Sequence, residues 1–286
     1  MSLLKLENIA YEYEAGTAMQ VRALEQVSIE INENEFIGII GHTGSGKSTL
    51  MQLMNGLLVP CEGRVLFRGE DINGKDYDKR KLHCNIGLVF QYPENQLFES
   101  SVLKDVMFGP GNKGMTPEEA EDRAKLALGR VNLGEEYYEK IPFELSGGEK
   151  RRAAIAGVMA MDPDVMILDE PAAGLDPGSR EELLDSLAEL HETGKTIIIV
   201  SHSMEDLAGY VDRIIVLNEG RIWSDGKKAE VFSRVEELEA MGLSAPEPVY
   251  LMKALRRRGF DVREEVFTVA GVVEELKRLS GGPGNA

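Results

Sequence analysis

The chain has 286 residues, 43% hydrophobic and 28% charged, with 32 Lys and Arg against 49 Asp and Glu for a net charge of −17. That length holds two ordinary domains or one large domain with an appended piece, and the composition excludes wholesale disorder, a collagen-like fibre and a coiled-coil rod. The negative balance repels polyanions and argues against nucleic acid as a partner. The longest stretch free of Lys, Arg, Asp and Glu, Ser48 to Cys61, contains Gln52, Asn55, Gly56 and Pro60, whereas a membrane-spanning helix needs about 20 mainly apolar residues. Met1 to Glu7 lacks the basic, apolar and small-residue regions of an export signal, so the expected location is the cytosolic side. Cys61 and Cys84 match no disulfide framework or zinc spacing and are expected as reduced thiols.

In chain order, alternating segments at Leu4–Ile9, Val27–Ile31 and Val65–Phe67 predict antiparallel strands flanking a sheet. Phe36–Ile40 is a short apolar run read as a buried parallel strand. Between about 95 and 160 the strand signal disappears, and Thr116-Pro117-Glu118-Glu119 forms a capping box that opens a helix through Ala124, Leu128 and Val131. Val165–Leu168, a helical period at Leu183, Leu184, Leu187 and Leu190, and Thr196–Val200 then read as strand, helix, strand. After Pro246 the balance changes to 7 Lys and Arg against 6 Asp and Glu, and helical patterns run from Tyr250 to Arg258 and from Thr268 to Leu279, the latter stopped by Gly281-Gly282. The expected fold is α/β, with a parallel-sheet core, an antiparallel flank and a helical subdomain at about 95–160 within residues 1–245. A small C-terminal α/β domain is expected at 246–286.

Gly41-His42-Thr43-Gly44-Ser45-Gly46-Lys47-Ser48 fits Gly-x-x-x-x-Gly-Lys-Ser/Thr directly between a strand and a helical stretch. Glycines let the loop curl so that backbone N–H groups and the helix start, with Thr49 behind it, face phosphates; Lys47 reaches the β and γ oxygens and Ser48 ligates Mg²⁺. Val165–Leu168 ends in Asp169-Glu170, the form of a Walker B strand. Asp169 belongs to the Mg²⁺ shell and Glu170 can activate water, a general-base effect worth ~10²- to 10⁴-fold. Leu145-Ser146-Gly147-Gly148-Glu149 opens a second helix with a Ser cap and two glycines, another anion-binding end. One ATP cannot fill two such ends within one subunit.

In these motifs the chain resembles the ATP-binding cassette (ABC) ATPases, over about residues 3 to 230. In that family the Leu-Ser-Gly-Gly-Gln signature closes over the γ-phosphate held by a partner's P-loop. The resemblance implies a RecA-like core, MgATP as cofactor and a second ATPase chain, either the same chain or a paralogue. It implies further roles by position: Gln91 as the Q-loop glutamine touching Mg²⁺ and the γ-phosphate, Asp176 in the D-loop Gly174-Leu175-Asp176, His202 as the switch histidine and Tyr13 stacked on adenine. Lys47, Gln91, Glu170 and His202 form the catalytic set, and Ser146, Gly147 and Gly148 belong to the nucleotide site across the dimer. Glu149 departs from the signature glutamine, and Ala172-Ala173 from the commoner Thr-Ser or Thr-Ala.

Within the family, Phe90–Glu99, Val106–Pro110 and Ala153–Met161 look like the energy-coupling-factor (ECF) subgroup, and Pro142-Phe143-Glu144 with Pro171–Gly174 resemble the second ATPase of its heterodimers. The implied function is the ATPase of an importer for a vitamin or a transition metal such as cobalt or nickel, peripheral at the cytoplasmic face, with a membrane scaffold and a substrate-binding membrane subunit. The segment Tyr92–Glu99 is expected to dock a basic amphipathic helix of the scaffold, with Tyr92, Leu97 and Phe98 as apolar anchors and Glu94 and Glu99 pairing with its arginines, the alternative being that Leu97 and Phe98 pack inside the helical subdomain. The alternatives are a soluble ABC-type ATPase not coupled to transport, or a P-loop kinase, which leaves the signature unexplained. His42, His83 and His191 read as solvated or locally bonded, Met159, Met161 and Met166 as core, and Arg256–Arg258 as a response to the helix dipole.

Overall fold

The structure is a computed structural model describing residues 2–280. The chain runs β1 (Ser2–Tyr13), β2 (Val21–Asn32), β3 (Phe36–Ile40), α1 (Lys47–Met54), β4 (Glu62–Phe67), β5 (Glu70–Asp71), α2 (Lys79–Asn85) and β6 (Ile86–Val89). The helical stretch is α3 (Val102–Asn112), α4 (Pro117–Arg130) and α5 (Gly147–Met159), and the core resumes with β7 (Val165–Asp169), α6 (Pro177–Glu192), β8 (Thr196–Val200) and α7 (Met204–Tyr210). It closes with β9 (Arg213–Asn218), β10 (Arg221–Lys227), α8 (Lys228–Ser233), α9 (Val235–Ala240), α10 (Glu247–Arg257) and α11 (Val269–Ser280).

Two sheets share the apolar residues. The central one has the order β10-β9-β3-β8-β7-β6, parallel except for β10, and the flank has the order β2-β1-β4-β5, antiparallel throughout. The central strands are apolar at nearly every position because both faces are covered. Ile198, Val200, Val165, Ile167, Ile215 and Leu217 pack toward β1, β2, β4 and α1. Their neighbours Ile197, Ile199, Met166, Leu168, Ile214 and Val216 pack toward α5, α6 and α7.

The expected flanking strands and helical stretch are present. Thr116 caps α4 as the sequence predicts, its Oγ1 accepting from Glu119 N–H at 3.3 Å while Glu119 Oε2 accepts from Thr116 N–H at 2.9 Å. Parallel strands place their carboxyl ends on one edge, and β3, β8, β7 and β6 are consecutive neighbours. The loops beginning at Gly41, Ser201, Glu170 and Phe90 therefore stand side by side although they are scattered along the chain, the usual place for a ligand in such a sheet.

The C-terminal region departs from expectation. Among the described residues after 245 there are two helices and no strand, so the expected α/β character gives way to a helical piece. The link between α10 and α11 is held by side chains instead of a ladder. Buried Glu275 accepts from Arg263 N–H and Arg263 Nε, each at 2.7 Å, and from Arg278 Nη2 at 2.8 Å, so these donors hold its carboxyl down at about 2. Met252 of α10, Val262 and Val266 of the link and Val272 of α11 form a small apolar cluster. The Gly281-Gly282 stop lies outside the described residues.

Candidate active site

The loop after β3 is shaped by glycines with left-handed backbone, Gly44 at φ +82 and Gly46 at φ +103. A Cβ on Gly46 would sit 2.6 Å from Leu24 Cδ2 and 2.7 Å from Ala23 O, so both conformation and space require glycine there. Lys47, buried at the start of α1, donates from Nζ to Gly41 O at 2.6 Å and His42 O at 2.9 Å. Burial pushes its pKa below the ordinary lysine value, against the pull of Glu170 and Asp169. Ser45 Oγ is buried without a hydrogen-bond partner. Thr49 Oγ1 lies 3.1 Å from the Tyr13 hydroxyl, and Tyr13, 40% exposed, stands edge-on to Tyr11 at 5.0 Å between centroids. His42 and Thr43 are less buried, with His42 Nδ1 held 2.8 Å from Thr43 O.

β7 delivers two carboxylates to the same edge. Burial raises the pKa of Asp169, while the Lys47 charge and a hydrogen bond from Ser48 pull it down. Glu170 turns out of the strand at φ +50, its N–H donating to Val200 O of β8 at 2.9 Å. Burial, and next the neighbouring Asp169 charge, push its carboxyl up to about 6. Oε2 accepts from Ser201 Oγ at 3.4 Å; Oε1 is buried without a hydrogen bond, and His202 Nε2 stands 3.5 Å from it. His202 is half exposed, and burial with the Lys47 charge holds its pKa below the ordinary value, so it is neutral at pH 7.

These residues suit a Mg²⁺-nucleotide by their donor chemistry. An orphaned hydroxyl, a lysine and a helix N-terminus line the loop, and the Asp169 carboxylate lies near the Ser48 hydroxyl. No group of three or more His, Cys, Asp or Glu side chains placed to hold a metal ion occurs among the described residues. Mg²⁺ bound through one or two protein oxygens plus phosphate and water needs none.

The remaining predicted residues fall into a second cluster. Ser146, Gly147 and Gly148 open α5, and Glu149 completes a capping box, accepting from Ser146 N–H at 2.7 Å. Glu149 Oε1 also accepts from the Tyr137 hydroxyl at 2.9 Å, and the Ser146 bond heads the interactions that hold its pKa below the usual glutamate value. The unexpected Glu is thus turned into its own subunit, a tie for which Tyr137 gives no warning in the sequence. Asp176 caps α6, accepting from Ser179 N–H at 3.1 Å. Among the described residues no hydrogen bond or ion pair joins Ser146–Gly148 or Asp176 to the residues around Lys47 and Glu170, and none involves the Gln91 side chain, which is exposed at the end of β6. The first cluster is assembled within the chain and the second is presented outward.

Two expectations about the segment after Gln91 change. Glu94 is not free, because it pairs with buried Arg151 of α5, Nε to Oε2 at 3.2 Å and Nη2 to Oε1 at 3.3 Å. Reversing its charge would strand a buried guanidinium. Leu97 packs inward, whereas Phe98 stays 62% exposed and meets Phe108 edge-on at 5.0 Å. Arg151 was legible in one respect: it lies one turn before buried Ile155 on the inner stripe of α5, where a charge requires a partner.

Comparison with known proteins agrees with this geometry. The ABC transporter family profile matches residues 24–173. The chain is 48% identical to an energy-coupling factor transporter ATP-binding protein EcfA2 of Clostridium tetani, over 96% of each chain. The corresponding protein of Clostridium perfringens is 50% identical, over 96% of this chain and 98% of its own. The chain belongs to the ABC transporter ATPases, in their energy-coupling-factor branch. Among solved structures, cbiO1 of Clostridium perfringens, described as part of the ABC transporter complex cbiONQ, aligns at TM-score 0.73 and 40% identity over 84% of this chain and 95% of its own. A dimeric ATP-binding cassette described in a post-hydrolysis state with ADP and Pi aligns at TM-score 0.70 and 32% identity, over 78% of this chain and 98% of its own. The central sheet and its row of loops are therefore those of an ABC ATPase.

Proposed function

We propose that this chain is the ATP-binding and hydrolysing subunit of an ECF-type importer, working at the cytoplasmic face of the membrane with a second ATPase chain, a scaffold subunit and a substrate-binding subunit. The observation that carries the reading is the row of four loops at the carboxyl ends of β3, β8, β7 and β6, with Lys47, Ser48, Asp169, Glu170 and His202 on one edge. Lys47 and the loop N–H groups from Gly41 to Thr49 would hold the phosphates, Tyr13 the base, and Ser48, Asp169 and Gln91 the Mg²⁺, which when bound neutralises charge building between phosphates. Glu170, ionised above about 6, accepts the proton of the attacking water on the free Oε1. His202, neutral beside that oxygen, orients the same water.

Each chain carries one P-loop and one outward-facing signature, so each nucleotide needs the Ser146–Gly148 end and Asp176 of a second chain. The groove of about 720 Å³ lined by Leu97 and Phe98 of the segment after Gln91, with Phe108, Ala153, Gly157 and Met161, is the docking surface for a scaffold helix, with Glu94 tied to Arg151 instead of facing it. Among the described residues, 2–245 make up the ATPase domain and 246–280 a second, smaller domain with its own apolar cluster. The cargo is met by the membrane subunits, not by this chain. Co-expression with candidate membrane subunits and a paralogous ATPase, followed by purification in mild detergent, tests the reading. A complex that hydrolyses MgATP is expected, and a chain that purifies alone and inert from such cells would refute it.

A further inference from the structure

Arg151 has only 4% of its surface exposed, yet four of its N–H donors find partners at three residues on two loops remote from each other in the chain. Besides the two bonds to Glu94, Nη2 donates to Gln91 O at 3.0 Å and Nη1 donates to Ala173 O. Gln91 lies at the end of β6, Glu94 on the 3₁₀ turn Pro93–Gln96 that leads to exposed Phe98, and Ala173 three residues before Asp176. Arg151 itself is five residues after Ser146 on α5. One guanidinium therefore ties the glutamine loop, the entrance to the docking groove, the signature helix and the loop that leads to Asp176.

We infer that Arg151 is a positioning residue that holds three segments, the loop from Gln91 to Glu94, α5 and the loop at Ala173, as one unit, so that a shift of the docking segment reaches the nucleotide-facing loops; this rests on the importer reading above. The planar fork is essential to that role. It places donors in fixed directions toward a carboxylate and two carbonyls, whereas a lysine ammonium is a single flexible charge that cannot hold all three at once. Neither Arg151 nor Glu94 is among the residues assigned to the phosphates, the base or Mg²⁺, so their loss acts through Gln91 and Ala173 and not through nucleotide contacts of their own.

The test uses the whole transporter assembled with its membrane subunits. Arg151→Lys keeps a cation opposite Glu94, whereas Glu94→Gln keeps a hydrogen-bond acceptor for the guanidinium but removes its counter-charge, so the Tm of each variant is measured alongside to show that it still folds. Each is expected to leave the Kd for MgATP within about twofold of wild type while lowering kcat roughly tenfold, within the span that a coupling network contributes. The double variant is expected to cost no more than the worse single one, because both remove the same tie. A kcat for Arg151→Lys within about twofold of wild type, or a double variant whose losses multiply, overturns the inference. Glu170→Gln in the same complex separates it from the reading beneath: wild type active with Glu170→Gln inert upholds the hydrolytic site whatever Arg151→Lys does.

Discussion

Glu170→Gln should make the protein more stable and nearly inactive at once. A carboxyl held at about 6 instead of the ordinary 4.5 is better tolerated by the fold when protonated. Stability from this group is therefore fully present below pH 4.5 and falls as pH rises through 6. At about 1.36 kcal/mol per pKa unit, full ionisation at pH 8 costs at most about 2 kcal/mol. Glutamine keeps the shape and carries no charge, so it recovers that amount at pH 8 and nothing at pH 4.5, a Tm difference of about 2–6 °C at the high end for a chain of this size. Turnover in the assembled transporter should fall by roughly 10²-fold or more as the proton acceptor disappears. Wild-type kcat/KM should in turn decline as pH is lowered through about 6. Thermal unfolding of the nucleotide-free chain at pH 8 and pH 5, with steady-state hydrolysis by the complex, reads all three. A variant no more stable at pH 8 than wild type contradicts the burial argument, and turnover within twofold contradicts the assignment of the base.

Gly46→Ala places a methyl against Leu24 Cδ2 and Ala23 O at a left-handed φ, so MgATP binding measured by calorimetry should be lost; an affinity near wild type would show that the loop tolerates another shape. Ser146→Arg should leave ATP binding to its own chain intact while abolishing ATP-driven association with the partner ATPase in sedimentation, and rescue by a change within the same chain would refute the shared site. Phe98→Asp with Phe108→Ala should remove the exposed aromatic pair and abolish co-purification with the scaffold subunit while the Tm stays within a few degrees of wild type. Normal assembly of that variant would move the docking surface elsewhere.

The phosphate chemistry was legible in the sequence because it is contiguous. A loop that curls around phosphates needs its glycines, lysine and hydroxyl within eight positions, and a strand that ends in carboxylates announces itself by the apolar run before it. The Thr116 and Ser146 caps were equally plain, since a capping box spans only four residues. What required the tertiary structure is everything that depends on strand order. The carboxyl ends at Ile40, Val89, Asp169 and Val200 are neighbours only because β3, β8, β7 and β6 are laid side by side. That order follows from packing both faces of the sheet at once, not from any local pattern. The elevated carboxyl of Glu170 and the pairing of Glu94 with Arg151 have the same origin, because each depends on burial by segments distant in the chain. The C-terminal helices illustrate the opposite case: their periodicity was readable, but the link between them became a side-chain-bonded segment instead of a strand because Glu275, 12 residues from Arg263, takes up its backbone N–H.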